Sequence, residues 1–83
     1  MDIFIYSTTP GVARDEIEDA LEAAHEGVGE ITGGGAGENG WNIDLCVSDC
    51  QKTEEVLHVL RDVLRRHGVM EATIDAGGTG FSL

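Results

Sequence analysis

Four carboxylates recur at helical spacing near the start of the chain. Asp15, Asp19, Glu22 and Glu26 stand at i, i+4, i+7 and i+11, so in a helix they line one ridge. Like charges at this spacing destabilise a helix by about 0.2–0.5 kcal/mol per pair, and no lysine is interleaved to relieve them. We interpret the ridge as a candidate surface for binding a basic protein. The alternative is a plain solvated helix face.

A second candidate surface comes from two predicted strands. Residues 41–47 alternate between apolar and polar side chains, which is typical of a half-buried strand. If Ile3 and Ile5 face the helices, Phe4 and Tyr6 stand on the other face beside Asn42 and Asp44, and the last strand adds Glu71, Thr73 and Asp75. Aromatic side chains among acids favour recognition of a basic protein. We therefore predict that Tyr6, Asn42 and Asp44 contribute to partner binding, the alternative being a solvated face or a homodimer interface.

The glycine-rich run 33–37 invites a phosphate-loop interpretation, which the sequence disfavours. A phosphate loop opens a helix and usually carries a lysine, whereas this run leads into a strand and no base stands between Arg14 and Lys52. Glycines here favour a bulge or the close approach of another backbone. A glycine-rich hairpin at a sheet edge could also accept a segment of a partner.

The sequence predicts no catalytic residue, no metal site and no cofactor. Cys46 and Cys50 straddle a strand end and a helix start, which is a poor match to zinc-ligand spacing. His25, His58 and His67 have no partner at a spacing of four. We expect both cysteines to be free thiols and the protein not to be an enzyme.

Charge narrows the class of partner. We expect the 83 residues to form a single domain over 1–83. They contain sixteen acids and five bases, for a net charge of −11. Residues 1–50 hold eleven of the acids and one base. Nucleic acid and anionic membranes are disfavoured as partners because both are bound through Lys and Arg. No apolar run is long enough for a membrane span, and residue 2 is an acid where a signal peptide would carry positive charge. We therefore expect a cytoplasmic protein.

The order of the predicted elements is βαββαβ. Strands are predicted at residues 3–6, from Glu30, at 41–47 and at 69–75, and an Asn39-Gly40 turn is expected before the third. The first helix is expected to begin with Thr9 as its cap and Pro10 as its first residue, and the second to be capped by Ser48 or Asp49 and to stop at Gly68. Residues 76–83 read as a glycine-rich tail. We predict an α+β fold in which a four-stranded antiparallel sheet carries two helices on one face.

This arrangement resembles the ferredoxin-like fold, a two-layer sandwich, over nearly the whole chain. In size, acidity and architecture the chain also resembles the small immunity proteins that neutralise bacterial toxins, and this implies an inhibitor of a basic toxin or enzyme. A second resemblance is to ACT-type regulatory domains, because Thr9-Pro10-Gly11 after the first strand looks like their Pro-Gly turn. That resemblance implies a ligand-binding or dimerising regulatory domain instead.

Overall fold

The order of elements follows the alternation of apolar patterns in the sequence. In the computed structural model, which describes residues 1–37 and 40–83 but not the side chain of Cys50, the elements are β1 (Asp2–Ser7), α1 (Arg14–Ala24), β2 (Gly29–Gly37), β3 (Gly40–Val47), a 3₁₀ turn (Cys50–Lys52), α2 (Thr53–Arg66), β4 (Thr73–Ala76) and β5 (Thr79–Ser82). The fold is therefore α+β, with two helices and a five-stranded sheet in the part of the chain described.

The strands form one antiparallel sheet in the order β2-β3-β1-β4-β5. The prediction of four strands was wrong because the glycine-rich tail is not a tail. Gly77 and Gly78 have φ angles of +60° and +88°, a left-handed conformation that glycine adopts at little cost. They turn the chain back so that β5 pairs with β4. The last predicted strand is correspondingly shorter, beginning at Thr73 rather than at residue 69.

One face of the sheet holds the core. Ile3 and Ile5 of β1 are fully buried, as are Ile43 of β3 and Ile74 of β4, and alternation along a strand sends their neighbours to the other face. Both helices contribute apolar residues to the same cluster: Ile17, Leu21, Val56, Leu57, Leu60, Val63 and Leu64. This confirms the expectation that Ile3 and Ile5 face the helices. Neither described helix is long and apolar enough to cross a bilayer.

The starts of the two helices differ from the predictions. Thr9 does not cap α1, which starts four residues after Pro10; the Thr9 hydroxyl instead accepts hydrogen bonds from the backbone N–H groups of Met70 and Glu71. The Ser48 hydroxyl donates to the carbonyl of Val28, in the loop before β2, and Asp49 caps the 3₁₀ turn. Gly68, with φ of +81°, ends the second helix as predicted.

The predicted turn between β2 and β3 lies partly outside the described residues. Gly40 is the first residue of β3 and pairs with Gly37, whereas Asn39 is not described. The preceding run of glycines belongs to β2, where the register shifts between Ile31 and Gly33. This irregularity in register agrees with a bulge, one of the structural roles that the sequence allowed for the glycines.

Candidate functional site

An acidic groove runs between α1 and the start of β2. Its volume is about 460 Å³. Asp19 and Glu22 enter it from α1, Glu26 follows the helix, and Glu30 enters it from β2; Ala23, Gly27 and Gly29 complete the lining. All four carboxylate-bearing residues are exposed. The groove is therefore a strip of negative charge with no basic residue in its lining.

A bare glycine backbone lets the helix lie close to β2. A Cβ atom on Gly34 would stand 2.7 Å from the carbonyl oxygen of Asn42 and 2.8 Å from a guanidinium nitrogen of Arg14. The Arg14 side chain lies there because it forms an ion pair with Glu18 one helical turn later. Gly34 thus leaves room beside β2 for the Arg14–Glu18 pair of α1.

The basic residues of the chain lie away from this groove. Arg14 is committed to Glu18, and Arg66 pairs with Asp62 on α2. The guanidinium carbon of Arg61 lies 5.7 Å from the centre of the Phe81 ring, so α2 packs beside β5. In the described part of the chain, no base forms an ion pair with any of the four acids of the groove.

The opposite face of the sheet carries the second predicted surface. Tyr6 pairs in register with Asn42 on one side and Thr73 on the other, while Phe4 pairs with Asp44 and Asp75. Tyr6 is 49% exposed. The Asn42 amide donates a hydrogen bond of 3.3 Å to Asp44. The predicted grouping of aromatic and polar side chains on this face is therefore present.

A broad groove of about 580 Å³ lies at the end of this face, and Tyr6, Trp41 and Thr73 are among its lining residues. Glu71, which was expected on the last strand, precedes β4. Its carboxylate accepts hydrogen bonds from the hydroxyl of Thr8 at 2.7 Å and from the backbone N–H of Thr8 at 2.6 Å. These bonds hold the pKa of Glu71 below its usual value. Glu71 therefore ties the loop after β1 to the segment before β4.

The structure divides the predicted site residues between two faces of the molecule. Asp19, Glu22 and Glu26 come together on the helical side, while Asp15 lies outside the groove lining with its side chain 91% exposed. The second set, on the open face of the sheet, consists of Tyr6, Asn42 and Asp44. The sheet separates the two sets, so the two predicted surfaces lie on opposite faces of the molecule.

Glu30 is the groove residue that the sequence analysis missed. Glu30 lies at the start of β2, the strand beside α1. The sequence signal that could have identified it is its position at the start of the predicted second strand, only four residues after Glu26. Cys46 lies on the open face and is a free thiol, whereas the prediction for Cys50 lies outside the described side chains. No cluster of three or more potential metal ligands occurs among the described residues.

Comparison with known proteins adds no relative: the chain matches no family model, no curated protein and no solved structure.

Proposed function

We propose that this chain is an acidic protein-binding module that neutralises a basic toxin or enzyme in the cytoplasm, in the manner of the immunity-type inhibitors that it resembles. It acts by binding and not by catalysis. The observation that carries the proposal is the groove between α1 and β2, which is lined by four exposed acidic residues, three of them on or just after α1, and by no base. A concentration of one charge sign attracts partners of the opposite sign and raises their association rate.

We assign the architecture to the ferredoxin-like fold with one added strand. The order β2-β3-β1-β4 and the two helices over one face support that assignment, and β5 extends the sheet beyond β4. The fold carries no activity by itself. Its relevance to function is that α1 lies beside the edge strand β2, where it shapes the acidic groove.

The experiment compares two pairs of charge-neutralising substitutions on the full chain. Glu22→Gln with Glu26→Gln removes two charges from the groove, and the matched control, Glu54→Gln with Glu55→Gln, removes two from the exposed start of α2. Both variants change the net charge equally. A partner isolated by affinity capture and then purified is the probe, and association is followed at low and high salt.

The proposal expects the groove variant to associate several-fold more slowly, with the control close to the wild type. It also expects the wild-type association rate to fall with salt, because screening weakens steering between exposed charges. Equal association of the two variants, or a rate independent of salt, would contradict the proposal.

The broad groove beside Tyr6 and Trp41 favours a second candidate, an ACT-like domain that binds a small ligand. Its volume of about 580 Å³ suits a small molecule, and it lies beside the loop that carries the Thr9-Pro10-Gly11 resemblance. Titration with free amino acids, followed through the indole N–H signal of Trp41, distinguishes the candidates. A saturable shift would favour the regulatory domain.

A further inference from the structure

The strand that borders the acidic groove is an open edge of the sheet. β2 pairs with β3 on one side only, and it is nine residues long. Proteins usually protect such edges with lysine, proline or very short strands. The described edge contains neither lysine nor proline, and its glycine-rich half, residues 33–37, has no side chain larger than that of Ala36.

Hydrogen bonds on β3 show which groups of β2 face outward. The N–H and C=O of Val47 exchange bonds of 2.8 Å with Met1, toward β1, and the next residue, Ser48, donates to Val28 on the β2 side. Because these directions alternate along an antiparallel ladder, residues 45, 43 and 41 also face β1. Their partners on β2 are Ile31, Gly34 and Ala36, which therefore direct their backbone N–H and C=O groups at the open edge.

The acids of α1 are spaced more closely than the side chains on one face of a strand, so only long, flexible basic side chains of an added strand could reach all three. Side chains on one face of a strand repeat every 6.8 Å or so. Along α1, the rise from Asp19 to Glu22 is about 4.5 Å and that from Glu22 to Glu26 about 6 Å. Alternate side chains of an added strand would point to the helical side of the sheet, where these acids lie.

We propose that the β2 edge accepts an extended basic segment of the partner as an additional strand, with alternate Lys or Arg side chains meeting Asp19, Glu22 and Glu26. This deepens the proposed function and rests on it. Backbone hydrogen bonds to Ile31, Gly34 and Ala36 supply the pairing, and the acidic groove selects the charge. A second copy of this chain is a poor occupant, because pairing β2 with β2 brings two acidic grooves together.

The test uses a capped eight-residue peptide that alternates lysine and threonine, together with the same peptide N-methylated at the amides that would face β2. Both peptides carry the same charge, but only the first can pair as a strand. The proposal expects the unmodified peptide to slow amide hydrogen exchange at Ile31, Gly34 and Ala36. The methylated peptide is expected to bind at least about five-fold more weakly, since several hydrogen bonds are lost.

A substitution supplies the second arm. Ala36→Pro removes one edge N–H that does not bond to β3, and Ala36→Thr is the matched control that keeps it. The first is expected to weaken peptide binding about five-fold relative to the second, the effect of roughly one hydrogen bond. Circular dichroism verifies that both variants fold.

Three results would overturn strand addition: equal binding of the two peptides, no protection at the three amides, or a concentration-dependent dimer that already protects them without peptide. The proposed function fails separately. If Glu22→Gln with Glu26→Gln slows association with the purified partner while Ala36→Pro does not weaken the complex, charge-driven binding stands and strand addition is wrong. If neither variant has an effect, both are wrong.

Discussion

Replacing Gly34 with alanine tests whether the close approach of α1 to β2 depends on a missing side chain. The new Cβ atom would stand 2.7 Å from the Asn42 carbonyl oxygen and 2.8 Å from an Arg14 nitrogen. The arginine end can move, but the carbonyl belongs to the β2–β3 ladder, so the backbone must shift. Overpacking of this kind destabilises by about 1–3 kcal/mol, against a gain of about 0.4–1 kcal/mol from the stiffer unfolded chain.

The neighbouring glycine is the matched control. A Cβ atom on Gly35 would meet only the Asn42 side-chain oxygen, at 3.5 Å, an ordinary contact. Gly35→Ala is therefore expected to leave stability unchanged or to raise it by up to about 1 kcal/mol. The net loss of roughly 1–2 kcal/mol expected for Gly34→Ala would lower the melting temperature of a domain this size by about 4–8 °C per kcal/mol.

Urea unfolding followed by tryptophan fluorescence measures both variants, since Trp41 is the chain's single tryptophan. An unchanged urea slope would show that stability alone has altered. If Gly34→Ala proved as stable as Gly35→Ala, the close packing around Gly34 would not require a glycine, and this reasoning would be refuted.

Two further predictions concern contacts that hold the ends of the sheet. Thr8 lowers the pKa of Glu71 in the folded state, so this carboxylate stabilises the fold above its unfolded-state pKa, and that stabilisation is lost as pH falls through the folded-state pKa. Glu71→Gln should therefore lose less stability than the wild type, measured by urea unfolding, between neutral pH and roughly pH 3. An equal loss in the two proteins would contradict this. Phe81→Leu keeps an apolar side chain but removes the ring near Arg61. We therefore expect the free energy of unfolding to fall by about 0.5–1 kcal/mol and amide exchange in β5 to become faster. Unchanged stability and exchange would show that the ring contact does not stabilise the fold.

Periodic patterns in the sequence correctly predicted those features of the fold that depend on residues close together in the sequence. Alternation over residues 41–47 gave the correct inward face of β3, and the apolar stripe containing Ile17 and Leu21 gave the buried side of α1. The cap at Thr9 was mispredicted because its actual partners are more than sixty residues away. The strand β5 was missed because glycine, which has low strand propensity, precedes and interrupts it, and pairing with β4 overrides that propensity.

The candidate site was predictable only in its components. Helical spacing identifies the acids of α1, and strand alternation places Tyr6 beside Asn42. Their separation by the sheet follows once Ile3 and Ile5 are taken to face the helices, a choice that the pattern of β1 alone leaves open because both of its faces are apolar. The meeting of Glu30 with α1 depends likewise on β2 lying at the sheet edge, which is a property of the strand order.

The strand order places the acidic first half of the sequence at one end of the sheet. β2, β3 and β1 are adjacent and all come from residues 1–47, whereas β4 and β5 come from residues 51–83, where five acids are nearly balanced by four bases. The negative end of the molecule is therefore the end with the long open edge. Because two copies would bring the four groove carboxylates of each together, repulsion protects the edge against self-pairing as lysine does in other proteins. Under the proposed function, the same field attracts a basic segment to that edge before contact is made, so the arrangement of charge that disfavours self-pairing is also the one that the proposed partner requires.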